Sequence, residues 1–428
     1  MPNIKVLSVN TSDTNGGAAR AAYRIHQGVK TLGVNSIMFV KDKQQNDDSV
    51  ISLTEFVPKN IFFKTFDWVC QKIKNKIQHY KWSKYPNRSK LYLSDTRGTN
   101  IFGVFNKLDY DVLHLHWINQ RFIKLSDLAK VDKPIVWTLH DSWPFCGVCH
   151  YFLECEKYKI KCKQCQYLNN KNIESDLSTQ VWNEKFNAYK NLNLHIVTPS
   201  KWLGDCAKDS ALISQFPVSV IPNCLDTEVF RPLEENKISS RWVNFSEKKA
   251  ETTFVLYGAV NAATDKIKGF ENLLSALQIL EKQGKANFEL IVFGANESDL
   301  KIDVNIPIHY VGYVSDTNEL VSLYNIASVM VVPSLTEVFG QTASEPMSCG
   351  VPVVAFKCTG IQEVVDHKKT GYLAQAYDNE DLANGIIWCL ENNEDRILSK
   401  NARDKVLNNY TPEIVSKQYK GLYESLIK

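Results

Sequence analysis

The chain has 428 residues, of which 44% are hydrophobic and 23% charged, with a formal net charge of +3. This length predicts two or three domains with ample core for each, the balance is that of an ordinary globular protein, and so small a charge excess excludes a nucleic-acid-binding field spread over the whole surface. No apolar run reaches the roughly 18 residues of a membrane span, and MPNIKVLSVN enters a strand pattern without the apolar core of a signal peptide, so a cytoplasmic location is expected.

Ile4 to Val9 reads as a strand that ends in the loop NTSDTNGGAAR. A helix is predicted over Ala18 to Leu32, with Ala18, Ala22, Ile25 and Val29 on one face, and Ser36 to Val40 follows as a second strand. Strand, Gly-rich loop, helix, strand is the opening of a doubly wound α/β unit. GGAARA does not fit G-x-G-x-x-G, and no clear acid ends the second strand, which disfavours a dinucleotide dehydrogenase. Strands at Val112 to Leu115, Ile135 to Leu139 and Leu194 to Thr198 end in the polar segments HLHW, LHD and PSKW. His114 and His116 alternate on one strand and point the same way, and one or both are expected as satisfied core histidines.

Glu234 to Glu251 is polar and charge-mixed, as a linker or surface excursion would be. The alternation then restarts: strand Phe254 to Gly258, helix Gly269 to Gln283, strand Phe288 to Phe293, strand Ile308 to Val311 and helix Glu319 to Ala327. Two successive units of roughly 230 and 180 residues fit the usual size of a domain. Two β-branched runs, Val329 to Pro333 and Val351 to Phe356, read as buried parallel strands around EVFGQTASE. Pro346 is tolerable only near a helix start, so the intervening helix should begin at Gln341 or Thr342. Glu337 then lies in a loop at a strand's carboxyl end and Glu345 on the next helix, at the edge where open α/β sheets bind ligands. Two carboxylates there suit a ligand rich in vicinal hydroxyls. Thr411 to Lys428 closes the chain as an amphipathic helix.

The stretch SLTEVFGQTASEPMSCGVPVVAFKCTGIQEVVDHKKTGYLA, with its acid-x7-acid pair, Cys-Gly-x-Pro-Val-Val strand and Gly-x-x-Glu turn, resembles the donor-binding half of retaining GT-B glycosyltransferases of family 4. NGGAARAA, DVLHLHW, TLHDSWPF, VTPSKWL, IPNCLDTEVF and IKGFENLL extend the likeness over most of the chain, nearest to the bacterial exopolysaccharide and O-antigen subgroup. The resemblance implies two Rossmann-like domains facing across a cleft: an acceptor-side domain over 1–230, carrying a Cys-rich insert at 146–165, and a nucleotide-sugar domain over 250–405. The helix 411–428 is expected to cross back to the first domain.

It further implies a donor that is a UDP- or GDP-linked sugar, a glycan or lipid-linked acceptor, and front-face transfer with retention and no required metal or cofactor. Lys268 would meet the diphosphate, aided by backbone N–H groups at Gly16 and Gly17. Glu345 would take the ribose hydroxyls and Glu337 those of the transferred sugar, to which Phe339, Gly340 and Gln341 would offer N–H groups. His140 would stand beside the donor sugar, so Glu337, His140 and Lys268 form the expected catalytic set. The family's arginine after the first strand of the second domain is replaced by Ala259, leaving Lys266 or the AVNAATD loop to compensate. A catalytically silent glycan-binding partner subunit and a GT-B phosphorylase or epimerase are the alternative readings.

Two features stand outside that assignment. Residues 58–90 hold nine Lys or Arg against the single acid Asp67, with Phe62, Phe66, Val69, Ile73, Ile77 and Tyr80 at helical spacing. This is either a basic amphipathic helix for peripheral contact with the inner face of the cell membrane or a helix packed on the first domain. CGVCHYFLECEKYKIKCKQC holds Cys146, Cys149, Cys155, Cys162 and Cys165, two C-x2-C pairs around a fifth cysteine. Such spacing reads as a zinc site, with free thiols or disulfides as the rival. Likeness to the subgroup selects Cys149, Cys155, Cys162 and Cys165 as structural ligands.

Overall fold

The computed structural model describes residues 4–56, 85, 93–168, 176–258, 265–296 and 303–428. Apart from Tyr85, the expected basic helix at 58–90 lies outside the described residues, as does the AVNAATD loop up to residue 264. The chain divides into two units, Met1–Pro199 with Leu203–Ile221 and Lys417–Lys428, and Pro222–Ser416 with Ser200–Trp202.

The first unit is built on seven strands, β1 (Lys5–Ser12), β2 (Asn35–Asp42), β3 (Val50–Ser52), β4 (Val112–Leu115), β5 (Ile135–Thr138), β6 (Leu194–Thr198) and β7 (Val218–Val220). They pair in the order β3-β2-β1-β4-β5-β6-β7, all parallel. The second unit repeats the plan with six, β8 (Phe254–Gly258), β9 (Glu289–Phe293), β10 (Ile308–Gly312), β11 (Val329–Val332), β12 (Val353–Phe356) and β13 (Gly371–Ala374). Their order is β10-β9-β8-β11-β12-β13, again parallel. In each sheet the first strand sits between the second and the fourth to form, so the winding reverses at β1/β4 and at β8/β11. Such a reversal is where open α/β sheets place the loops that bind ligands.

The strand residues explain the layering. VMVV of β11 and VVAF of β12 are buried at every position, as strands covered by helices on both faces must be. The helix Gly17–Thr31 turns Ala22, Ile25 and Val29 inward as its spacing predicts, but Ala19 and Ala21 are buried in place of the half-exposed Ala18. Asp316 and Asp378 cap the helices Thr317–Ile326 and Asn379–Glu391 by accepting first-turn N–H groups at 2.9–3.1 Å. Strands β3 and β7 escape a pattern reading because three residues are too few to establish a period, and β13 because GYLA opens on glycine and holds no β-branched residue to mark it.

Two expectations need correcting. The polar stretch Glu234 to Glu251 is not a free linker: Trp242 is buried in the second unit's core and donates its indole N–H to the Glu319 carbonyl at 3.0 Å. Pro346 lies sixth in the helix Gln341–Ser348, beyond its first turn. The helix survives because it ends two residues later and the Pro346 carbonyl still accepts from Cys349 and Val351. The last helix, Pro412–Leu426, is counted with the first unit from Lys417 onward, where Tyr419 and Tyr423 are fully buried. Among the described residues no helix is long and apolar enough to cross a membrane.

One backbone position controls the approach of the second unit's two key loops. Gly269 has φ +71°, and a Cβ there would stand 1.8 Å from the Pro333 carbonyl oxygen. Gly269→Ala is therefore expected to cost at least about 2 kcal/mol from the left-handed conformation and the clash together, read as a fall in the denaturant midpoint.

Candidate functional site

In the second unit, the turn Lys266–Lys268 precedes the helix Phe270–Lys282 and is capped by Asp265, whose carboxylate accepts the Ile267 N–H at 3.1 Å. The Leu335 N–H donates to the Ile267 carbonyl at 2.8 Å, lashing this turn to the loop that leaves β11. The consequence is an ion pair: Lys268 Nζ donates to Glu337 Oε1 at 2.8 Å, with the two side chains only 18% and 16% exposed. From the other side the Glu337 N–H donates to Thr359 Oγ1 at 3.0 Å, and the Glu337 carbonyl accepts from Gly360 at 2.8 Å. Glu337 is thus held at its backbone by the loop after β12 and at its carboxylate by the lysine before the helix. Removing either charge would leave the other partly desolvated without its partner.

Glu345 is buried on the helix Gln341–Ser348, where Tyr324 donates its hydroxyl to Oε2 at 3.1 Å. A carboxylate has about four acceptor sites, of which Tyr324 takes one. Gly340 caps that helix, and its carbonyl accepts from Ala343 and Ser344. Phe339 spends its ring on the core, edge-on to Tyr410 at 5.1 Å between centroids, so only its backbone can serve a ligand. Lys266, the expected stand-in for the missing arginine, is 83% exposed and pairs with Glu271 at 3.4 Å. Glu363 of the Gly-x-x-Glu turn has a structural task, accepting the N–H groups of Lys201 and Trp202 at 2.8 Å each.

In the first unit, Gly16 and Gly17 open the helix Gly17–Thr31 just beyond β1, with Gly16 at φ +91°, a value that glycine adopts without strain. Thr11 and Trp117 tie the ends of β1 and β4 together: the Thr11 N–H donates to the Trp117 carbonyl at 2.8 Å, and the Trp117 N–H to Asn10 Oδ1 at 2.8 Å. His140 follows β5, half-buried, and its Nε2 meets His116 Nδ1 at 3.0 Å with the rings stacked. His114 is a satisfied core histidine, bonded to Thr138 Oγ1 at 2.8 Å and to the Tyr423 hydroxyl at 2.7 Å. His116 is more than that, since it orients His140 while its own buried Nε2 has no partner.

Burial holds these rings neutral. It lowers the pKa of His140 to about 4, against a raising influence of Asp141, and that of His114 to about 3. His116 lies well below the ordinary value, from burial first and the neighbouring histidines second. Asp141 sits next in the chain and accepts from the Trp117 indole at 2.8 Å, the Trp143 amide at 2.9 Å and the His150 ring at 2.5 Å. Burial pushes its carboxyl up, and the His150 ring with those hydrogen bonds outweighs it and holds it below the usual carboxylate value.

Sequence reasoning missed four members of these clusters: Tyr324, Thr359, Asp141 and His150. Only Asp141 carried a signal, as the residue after His140 in LHD. The five insert cysteines line a single small cavity, and every described cysteine is free, so the disulfide alternative falls away among the described residues.

The chain was compared with known proteins. Residues 15–229 match the family model described as Glycosyltransferase Family 4, and residues 240–405 match Glycosyl transferases group 1. The chain is 22% identical over 378 residues to the putative colanic acid biosynthesis glycosyl transferase WcaC of Escherichia coli K12, covering 85% of each. It is 30% identical over 166 residues to the N,N'-diacetylbacillosaminyl-diphospho-undecaprenol alpha-1,3-N-acetylgalactosaminyltransferase of Campylobacter jejuni, 38% of this chain and 42% of that one. Of the first curated relatives matched, the chain spans 45%, 54% and 31% of the length. The crystal structure of Anabaena HepE in complex with UDP and glucose is similar at a TM-score of 0.63 and 16% identity, over 99% of this chain and 100% of that one. At that identity the likeness is one of fold, the GT-B pairing of two Rossmann-like units.

The neutral histidines make a testable signature in stability. The unfolded chain takes up their protons near the ordinary value of 6.5, whereas the native state refuses them until about pH 4 or below. The unfolded state therefore binds more protons in that window, and stability, full above pH 6.5, should fall as pH drops towards 4 by up to about 1.4 kcal/mol per pH unit for each histidine. Denaturant titrations across pH 4.5 to 7 measure the slope, and His116→Gln should reduce it by up to one histidine's share.

Proposed function

The chain belongs to glycosyltransferase family 4, and from that premise we propose that it moves a glycosyl group from a UDP- or GDP-linked sugar to a glycan acceptor with retention of configuration. We infer a lipid-linked polysaccharide repeat unit as the acceptor, in keeping with the colanic acid and diphospho-undecaprenol chemistry in its relatives' names. That role would put the protein at the inner face of the cell membrane, with residues 58–90 as the contact.

The observation that carries this reading is the Lys268–Glu337 pair at the carboxyl edge of β11. A nucleoside diphosphate leaving group brings about two negative charges, and the ammonium of Lys268 is the cation poised beside that edge. When the diphosphate arrives, Lys268 exchanges one carboxylate partner for phosphate oxygens, joined by N–H groups at helix starts. Glu337 is then released to accept hydrogen bonds from sugar hydroxyls. Glu345, buried and anchored by Tyr324, is suited to the ribose diol. Phe339, Gly340 and Gln341 contribute backbone N–H groups.

In the reaction, the acceptor oxygen bonds to the anomeric carbon on the face from which the diphosphate departs. The bond from that carbon to the phosphate oxygen breaks, the nucleoside diphosphate leaves with the electron pair, and its oxygen takes the acceptor's proton. No covalent glycosyl-enzyme is needed, and the positive groups replace a divalent metal at the diphosphate. His140, kept neutral and oriented by His116, can give or accept a hydrogen bond at the sugar without adding charge.

The substitutions separate the roles. Glu345→Ala should weaken nucleotide binding about 10- to 100-fold, the cost of about 1.5–3 kcal/mol for hydrogen bonds to a charged acceptor. Glu337→Ala should lower turnover by about 100-fold or more, while nucleotide affinity holds or rises because Lys268 has lost its competing partner. Calorimetry with UDP and GDP, with turnover assays in parallel, reads both; unchanged turnover in Glu337→Ala overturns the site. Anomeric coupling in the product's NMR spectrum tests retention.

A further inference from the structure

We propose that the cysteine insert binds a structural zinc ion through Cys149, Cys155, Cys162 and Cys165. The segment 146–168 holds little regular structure, one short helical turn at Lys157–Lys159 and a bridge from Cys149 to Leu93, and is otherwise held by scattered contacts such as the Tyr167 hydroxyl donating to the Phe152 carbonyl. At its centre the five cysteines face a shared cavity of about 10 Å³, room for an ion and for nothing larger than a water molecule.

Main-chain N–H groups approach three of the four sulfurs. Cys162 Sγ accepts the Gly147 N–H at 3.2 Å, Cys155 accepts from Lys157, and Cys165 accepts from Tyr167 and Leu168. The Cys149 thiol donates to the Cys165 sulfur, a proton that an ion between them would displace. Cys146 differs, with its sulfur beside the Ser142 hydroxyl, so it is left as the spare thiol. No group of three or more described His, Cys, Asp or Glu side chains already stands as a metal shell. Binding would have to draw the sulfurs around the shared cavity together, to Zn–S distances of about 2.3 Å.

A second observation points the same way. Lys185 is fully buried, and its ammonium donates to the carbonyls of Trp143, Cys146 and Gly147 and lies 3.6 Å from the centre of the Trp143 ring. No ion pair joins it to a carboxylate among the described residues; Asp141 acts on it only from a longer range, and a buried cation so weakly compensated is costly. Four thiolates around Zn²⁺ carry a net charge of −2, having released four protons, and would supply that counter-charge beside Lys185. The ion would fix the wall that follows His140 and Asp141 and take no part in the reaction.

The test is metal analysis of the full chain purified without chelator, followed by cobalt exchange. About one zinc per chain and the charge-transfer and visible bands of tetrahedral thiolate-bound cobalt are expected. Cys155→Ser and Cys162→Ser should lose the ion, and Cys146→Ser should keep it. Should either of the first two fail to fold, the wild-type cobalt spectrum and zinc content still decide. Absence of zinc together with a featureless cobalt spectrum overturns the proposal. Loss of the ion from Cys146→Ser but not from Cys155→Ser overturns the ligand set in favour of the two C-x2-C pairs.

Discussion

A parallel strand cannot be joined to its neighbour by a tight turn, so every β-to-β step in both sheets runs through a crossover and returns to the same edge. That constraint gathers thirteen strand ends onto two carboxyl edges, and it decides where chemistry can occur. At β1/β4 and β8/β11 the crossovers leave in opposite directions, and the residues stranded beside the gap are the polar ones: Asn10, Gly16 and His116 in the first unit, Lys268 and Glu337 in the second. Apolar packing of VMVV and VVAF does nothing to recognise a ligand, yet without it those loops would have no common platform.

The two units handle charge in opposite ways. In the second, Lys268 and Glu337 pair with each other in a position sheltered but not sealed. In the first, burial keeps His114, His116 and His140 neutral, and the one firmly charged group, Asp141, is surrounded by donors from Trp117, Trp143 and His150. A diphosphate needs compensating charge at its binding site, whereas a sugar beside a developing positive centre is better served by neutral donors and acceptors. The split between an ionic edge and a neutral one follows the division of labour proposed for the family 4 reaction.

Much of the site was legible because it is written locally. Glu337 and Glu345 are eight residues apart with a strand before them and a helix start between them, so their placement follows from two short patterns. Lys268 was visible for the same reason, as the residue before a glycine and an amphipathic helix. What escaped is whatever depends on residues distant in sequence. Tyr324 reaches Glu345 from another helix, Thr359 reaches Glu337 from the loop after β12, and Lys185 reaches the Trp143 turn across 42 positions. No period or motif encodes those meetings.

By itself the sequence determined the class of the fold, the order of its elements and the residues that stand at strand ends, because alternation of short β-branched runs with amphipathic helices admits few parallel-sheet solutions. It also determined that two acids share one stretch of the second unit. The tertiary structure alone decided that Glu337 is paired, that His116 orients His140, that Trp242 belongs to a core and that five cysteines face one cavity. All but the last are distances between residues far apart in the chain, and such distances exist only once the helices have closed over both faces of each sheet.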